Sequence, residues 1–176
     1  MPAVLRLAWP TVLSFVLNNG FRLNDQYWVQ GLGSAAHAAI GSSTVLLILN
    51  FSVIFLAIGG SVPLVARATG ANDDRERDDV IRHTLLLGLI IALVLGVFGW
   101  WLTPAATELF DVSAEVAPLM IQYMRMMYIG ILPIVLAPIL DNIFIAMGNT
   151  RLPMFMQLAA VGLNLLLNPL LIYGYG

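Results

Sequence analysis

Five long apolar runs, broken by short polar stretches, constrain this chain more than any other feature of its sequence. The barest is LLLGLIIALVLGVFGWW, from Leu85 to Trp101, without a single charge. A helix that crosses a bilayer needs about 20 mostly apolar residues. The runs predict such helices at Val4 to Val29, Ala38 to Ala66, Val80 to Leu102, Ala117 to Met147 and Leu152 to Tyr173. Composition agrees: 60% of residues are hydrophobic and 10% charged, against about 25% charged in a soluble domain. That leaves too little polar surface to cover a globule in water, so the solvent is lipid. The expected class is all-α and polytopic, with residues 1–176 forming one transmembrane helical bundle.

Several functions fall away at once. A net charge of −2 argues against nucleic acid as a partner. The absence of cysteine removes disulfides, thiolate metal sites and cysteine nucleophiles. The first apolar run is not followed by a small-residue cleavage site, so it reads as a retained span rather than a signal peptide. Arginine placement sets a direction. Arg6 opens the first helix, Arg67, Arg75, Arg77 and Arg82 cluster between the second and third, and Arg151 lies between the fourth and fifth. The intervening loops, Gly31 to His37 and Thr103 to Val116, have none, which places the N-terminus in the cytoplasm. Trp28, Trp100 and Trp101 then fall near the outer interface. The first, second and fourth helices exceed a straight crossing and are expected to tilt or bend, with Pro10, Pro63, Pro133 and Pro138 as the places.

The acidic loop GANDDRERDD, Gly70 to Asp79, lacks the glycine and terminal glutamate spacing of a calcium loop. Its arginines make it a solvated turn that starts the third helix. His37 and His83 share no metal-ligand spacing and read as surface residues. Gly88, Ala92 and Gly96 repeat every four residues, a pattern that lets helices pack closely.

The unusual residues are polar ones inside apolar helices. At about 100° per residue, Thr11, Ser14, Asn18, Arg22 and Asp25 share one stripe about 80° wide on the first helix. On the last helix Gln157, Asn164 and Asn168 share another. Hydrocarbon offers no hydrogen-bonding partner, so both stripes are expected to face protein or water. At about 1.5 Å per residue, Asp25, Asn168, Tyr123 and Arg125 lie about 6 to 12 Å from the outer ends of their helices, and Asn164 lies just below. Together they outline a candidate polar cavity in the outer half of the bundle. Structural alternatives stand beside that reading: an i,i+3 ion pair of Arg22 with Asp25, amide glue between helices, a belt tyrosine and a snorkelling arginine. Asp141 lies near the cytoplasmic side, either as an inner-path acid or as a structural acid beside Asn142. Intramembrane ionisable groups are functional candidates by default.

The pattern NDQYWVQGLGSAAHAAIG resembles the first-helix signature of the multidrug and toxic-compound extrusion (MATE) transporters. LAWP, VARATGAND, MGNTRLPM and LNLLLNPLLIYG follow the same family pattern in order. The resemblance implies helices 1 to 5 of an N-terminal six-helix lobe, with helix 6 and the C-terminal lobe absent, which accounts for the odd count of spans. It implies efflux of amphipathic or cationic compounds in exchange for Na⁺ or H⁺, across the cytoplasmic membrane of a prokaryote, with no cofactor beyond the coupling ion. Asp25 matches the family's helix-1 carboxylate, the proton or Na⁺ site. Asn164 matches its helix-5 asparagine, and Tyr123 a helix-4 tyrosine of the same cavity. Asn168 stands where some members carry a second aspartate, which leaves one carboxylate in the cavity. Asn18, Arg22, Ser14, Gln157 and Arg125 would line it.

A lone carboxylate in a partly dry cavity has its charged form disfavoured, and a nearby cation reverses that. Cation binding would then shift the balance between inward- and outward-open states. Three rivals remain: a lipid-linked oligosaccharide flippase of the same superfamily, a non-transporting scaffold or remnant, and a membrane enzyme. The last lacks paired acids in one layer or any HExxH or GxSxG motif.

Overall fold

The computed structural model describes residues 2–174, and the side chains of 8–29, 31–172 and 174. The orientation expected from Arg6 rests on a side chain outside that set. Six α-helices follow in order: α1 (Pro2–Val29), α2 (Ser34–Gly70), α3 (Asp74–Leu109), α4 (Ala117–Ile129), α5 (Ile131–Ala146) and α6 (Arg151–Tyr173). A short 3₁₀ turn at Gln30–Leu32 follows α1. Gly33 then leaves it at φ +92°, a backbone angle that side chains disfavour and glycine accepts freely.

The expected spans are all helical, and the differences lie at their ends and in one break. Helix α3 begins at Asp74, six residues ahead of the apolar run, because Asp73 caps it: its carboxylate accepts the Glu76 backbone N–H at 2.9 Å. Asp74 and Glu76 then occupy a first turn whose free N–H groups favour negative charge. The arginines of this turn are spent locally, Arg67 on Glu76 and Arg77 on Asp74 and Asp78. At its other end α3 runs seven residues past Leu102, carrying Pro104 inside it. Thr103 Oγ1 donates to the Gly99 carbonyl and Thr107 Oγ1 to that of Pro104, at 2.6 and 2.7 Å, which steadies the helix around the missing N–H.

The expected fourth helix is broken at Gly130 into α4 and α5, which meet at 57°. Pro133 explains the position. Its ring crowds the carbonyl four residues earlier, Ile129, so the helix yields there and restarts with the proline in its first turn. Three helices, α2, α3 and α6, are long and apolar enough to cross a membrane, and the bent α4–α5 pair makes a fourth. Helix α1 has the length, 28 residues, but over its described residues is not among them. The run Asn18, Asn19, Arg22, Asn24, Asp25 and Gln26 dilutes its apolar character.

The chain divides into two compact units, Met1–Gly33 with Gly148–Gly176, and Ser34–Met147. The second has a continuous apolar core. Met120, Met124 and Tyr128 of α4, and Ile131, Val135, Ile139 and Ile143 of α5, are buried at every fourth position. They meet the Gly88–Ala92–Gly96 face of α3, as the small-residue spacing predicts. A Cβ on Gly88 would lie 2.8 Å from Ile139 Cδ1, and one on Gly96 3.2 Å from Ile131 Cγ2. Between lipid-solvated helices such close packing replaces the hydrophobic effect as the source of cohesion. In the first unit α1 packs against α6, with Pro10, Pro153, Met154 and Val161 buried.

Candidate cation site

The polar stripes of α1 and α6 meet in the first unit. Asn164 Nδ2 donates to Asp25 Oδ1 at 2.9 Å, and Asn168 Nδ2 donates to the same oxygen at 2.7 Å. The two asparagines, one helical turn apart, also bond each other reciprocally at 3.2 Å. Asp25, Asn164 and Asn168 are each half-buried. A carboxylate oxygen that accepts two amide N–H groups has its negative charge solvated by protein. Asp25 Oδ2 makes no hydrogen bond among the described residues.

Helix geometry brings these groups to one level. Asp25 lies in the last turn of α1, and Asn168 sits about 8 Å from the end of α6 at 1.5 Å per residue. Both helices therefore present their C-terminal, electronegative ends to the site, where the macrodipoles favour positive charge.

Two further residues, outside the stripe expected from sequence, join the network. Asn24 Nδ2 donates to Asn164 Oδ1 at 2.8 Å, and Trp28 Nε1 donates to Asn24 Oδ1 at 3.0 Å. Trp28, expected at the outer interface, is half-buried and stands edge-on to Tyr27 with ring centroids 5.4 Å apart. Asn24 lies about 100° around the helix from Asp25, so a single-face reading passes it by. The signal that marks it is the i,i+4 spacing to Trp28, which puts an amide beneath an indole N–H.

Among the described residues Asn18, Arg22, Ser14 and Gln157 make no hydrogen bond to this network. Asn18 and Arg22 are exposed, Ser14 and Gln157 half-buried. The Arg22–Asp25 ion pair weighed from sequence is not formed: the ion pairs among the described residues are those of Arg67 and Arg77. Arg22 lies about 60° around the helix from Asp25, whose Oδ1 is committed to α6.

The remaining candidates belong to the second unit. Tyr123 is half-buried against its apolar core. Arg125, rather than snorkelling freely, lies over the Trp100 ring with its Cζ 5.1 Å from the centroid, and its Nε is buried without a hydrogen-bond partner among the described residues. Asp141 is half-buried on α5 and makes no hydrogen bond or ion pair among the described residues, while Asn142 donates to the Pro138 carbonyl at 2.8 Å. A polar pair missed from sequence is Asn50 Nδ2 donating to the Tyr128 hydroxyl at 3.2 Å, with the Tyr128 ring seated on Gly99.

The long apolar helices describe an integral membrane protein, and a carboxylate held by amides of one of them is a functional candidate. Residues 10–170 match the family profile described as MatE. The chain is 31% identical over 175 residues to the FAD transporter of Shewanella oneidensis, covering 98% of this chain and 38% of that protein. It is 30% identical over 142 residues to the probable multidrug resistance protein NorM of Geobacillus kaustophilus, covering 80% of this chain and 30% of that one. Among solved structures it is similar to a MOP superfamily transporter from Pyrococcus furiosus, with a TM-score of 0.91 and 26% identity over 99% of this chain and 38% of that one. The chain belongs to the MATE family of membrane transporters and spans 30 to 38% of the length of these relatives.

Proposed function

We propose that this chain is the N-terminal part of a cation-coupled exporter of small amphipathic compounds, with Asp25 as the coupling residue. Its two units are then parts of one N-terminal lobe, completed by a sixth helix and a second lobe. The observation that carries the reading is the pair of amide bonds to one oxygen of Asp25, which leaves the other oxygen available at the electronegative ends of two helices. Binding H⁺ or Na⁺ there changes the local charge by one. If the inward- and outward-open states hold that charge differently by about 1.4 kcal/mol, their ratio shifts tenfold. Asn164 and Asn168 hold the carboxylate, while Tyr123 and Asp141, in the other unit, are separate candidates for a role in the cation path. The arginine distribution supports a cytoplasmic N-terminus, and the bacterial relatives support the cytoplasmic membrane as the location.

The substrate class follows the relatives' names only in part, since one is called a FAD transporter and another a multidrug resistance protein. The test is an efflux assay with the full-length protein in proteoliposomes, comparing a cationic dye, FAD and a lipid-linked oligosaccharide under imposed H⁺ or Na⁺ gradients. The expected result is gradient-accelerated movement of the dye. Movement of the lipid-linked sugar alone would favour the flippase reading, and movement of FAD alone would replace the cationic substrate class. No gradient effect on any substrate would refute coupling.

A further inference from the structure

We propose that Trp28 and Asn24 are positioning residues for Asp25: they fix which way the Asn164 amide points. The proposal rests on the reading of Asp25 as the coupling residue. Trp28 Nε1 can only donate. Its bond to Asn24 Oδ1, at 3.0 Å, commits the oxygen of that amide. The Asn24 nitrogen is thereby turned towards Asn164 Oδ1, at 2.8 Å. With its oxygen taken, Asn164 must offer nitrogen to Asp25, at 2.9 Å. Each amide in the chain has one sense, and that sense matches both ends: an indole that can only donate and an ionised carboxylate that can only accept.

The alternative arrangement shows what the chain prevents. With Asn24 rotated, its N–H₂ would oppose the indole N–H and its oxygen would oppose the oxygen of Asn164. With Asn164 rotated as well, a carbonyl oxygen would face the Asp25 carboxylate. Both contacts are repulsive, and at half-buried groups water compensates them only in part. The relay therefore reinforces the Asn164 donor on Oδ1, beside that of Asn168, and favours Oδ2 as the oxygen that changes occupancy. The device is built from a single turn of α1, since Asn24 and Trp28 are i,i+4 neighbours and Asn24 precedes Asp25 directly.

Two measurements on the full-length protein test this. In proteoliposomes, Trp28→Phe keeps the ring and removes the donor, and Asn24→Leu removes the relay at similar volume. Each is expected to slow gradient-driven dye efflux about tenfold with the dye KM unchanged, in line with the loss of a hydrogen bond between neutral groups at the upper end of its usual range. The double variant is expected to be no slower than the slower single variant, because both break the same chain. Losses that multiply, or a Trp28→Phe rate within about twofold of the unmodified protein, would overturn the relay. Asp25→Asn run in parallel separates the two levels: if it is inactive while Trp28→Phe is normal, only the relay fails, and if it is fully active, the coupling reading fails first. Independently of transport, the ¹H–¹⁵N indole resonance absent from Trp28→Phe identifies Trp28 in the unmodified protein. Its shift is expected to be that of a bonded N–H and to move in Asn24→Leu; an unmoved resonance would overturn the proposal even where a variant transports poorly for other reasons.

Discussion

Asn164 and Asn168 occupy equivalent places on one helix face, yet the structure makes them unequal. Among the described residues, three hydrogen bonds join these two asparagines to α1: Asn24 to Asn164, Asn164 to Asp25, and Asn168 to Asp25. Asn164→Leu removes two of them and Asn168→Leu one, at nearly constant side-chain volume. Interhelical hydrogen bonds within membranes contribute about 0.6 kcal/mol each on average and about 1.7 at most. Asn164→Leu should therefore cost about 1–3 kcal/mol and Asn168→Leu about half that. It also strands the Asn24 Nδ2 group, which adds to the first figure. At about 2–4 °C per kcal/mol for a chain of this size, the two variants should differ in Tm by a few degrees. Thermal unfolding of the purified full-length protein in one detergent, with both variants measured side by side, reads this directly. Equal losses, or a larger loss for Asn168→Leu, would refute the hydrogen-bond assignment on which the argument rests.

Two further outcomes follow from other parts of the molecule. Gly88→Leu should lower the thermal midpoint strongly, because even a Cβ there would press on Ile139 Cδ1 at 2.8 Å and Leu136 Cδ2 at 3.1 Å and overpacking costs about 1–3 kcal/mol or more; a stability equal to that of the unmodified protein would show that α3 and α5 are farther apart. Arg22→Gln should leave gradient-driven efflux within about twofold, since Arg22 is exposed and forms no ion pair with Asp25; a large loss in the same transport assay would restore that pair to the site.

The helices were legible because lipid imposes its length and apolarity on any sequence that crosses it. Their ends were less so. Where α3 extends beyond its apolar run, at Asp73 and past Pro104, capping and threonine back-bonds decide the boundary, and neither leaves a hydropathy signal. The break at Gly130 was legible in cause and displaced in position: Pro133 acts on the turn before it, so the bend appears upstream of the residue responsible. The junction of Asp25 with Asn164 and Asn168 was legible because each stripe, taken alone, has no other way to satisfy its polar groups in hydrocarbon. Asn24 and Trp28 were not, because a stripe argument selects one face, and the relay reaches the site from about 100° around the same helix. Arg125 shows the opposite limit: its depth suggested a cavity or a route to the surface, while its neighbour Trp100, distant in sequence, determines where it rests.

The account stands most directly on gradient-driven efflux by Asp25→Asn in the full-length protein, with its membrane folding verified in the same preparation. Loss of the response to both H⁺ and Na⁺ gradients, in a protein that still binds dye, is the predicted result. Efflux that keeps its gradient response without the carboxylate would contradict it.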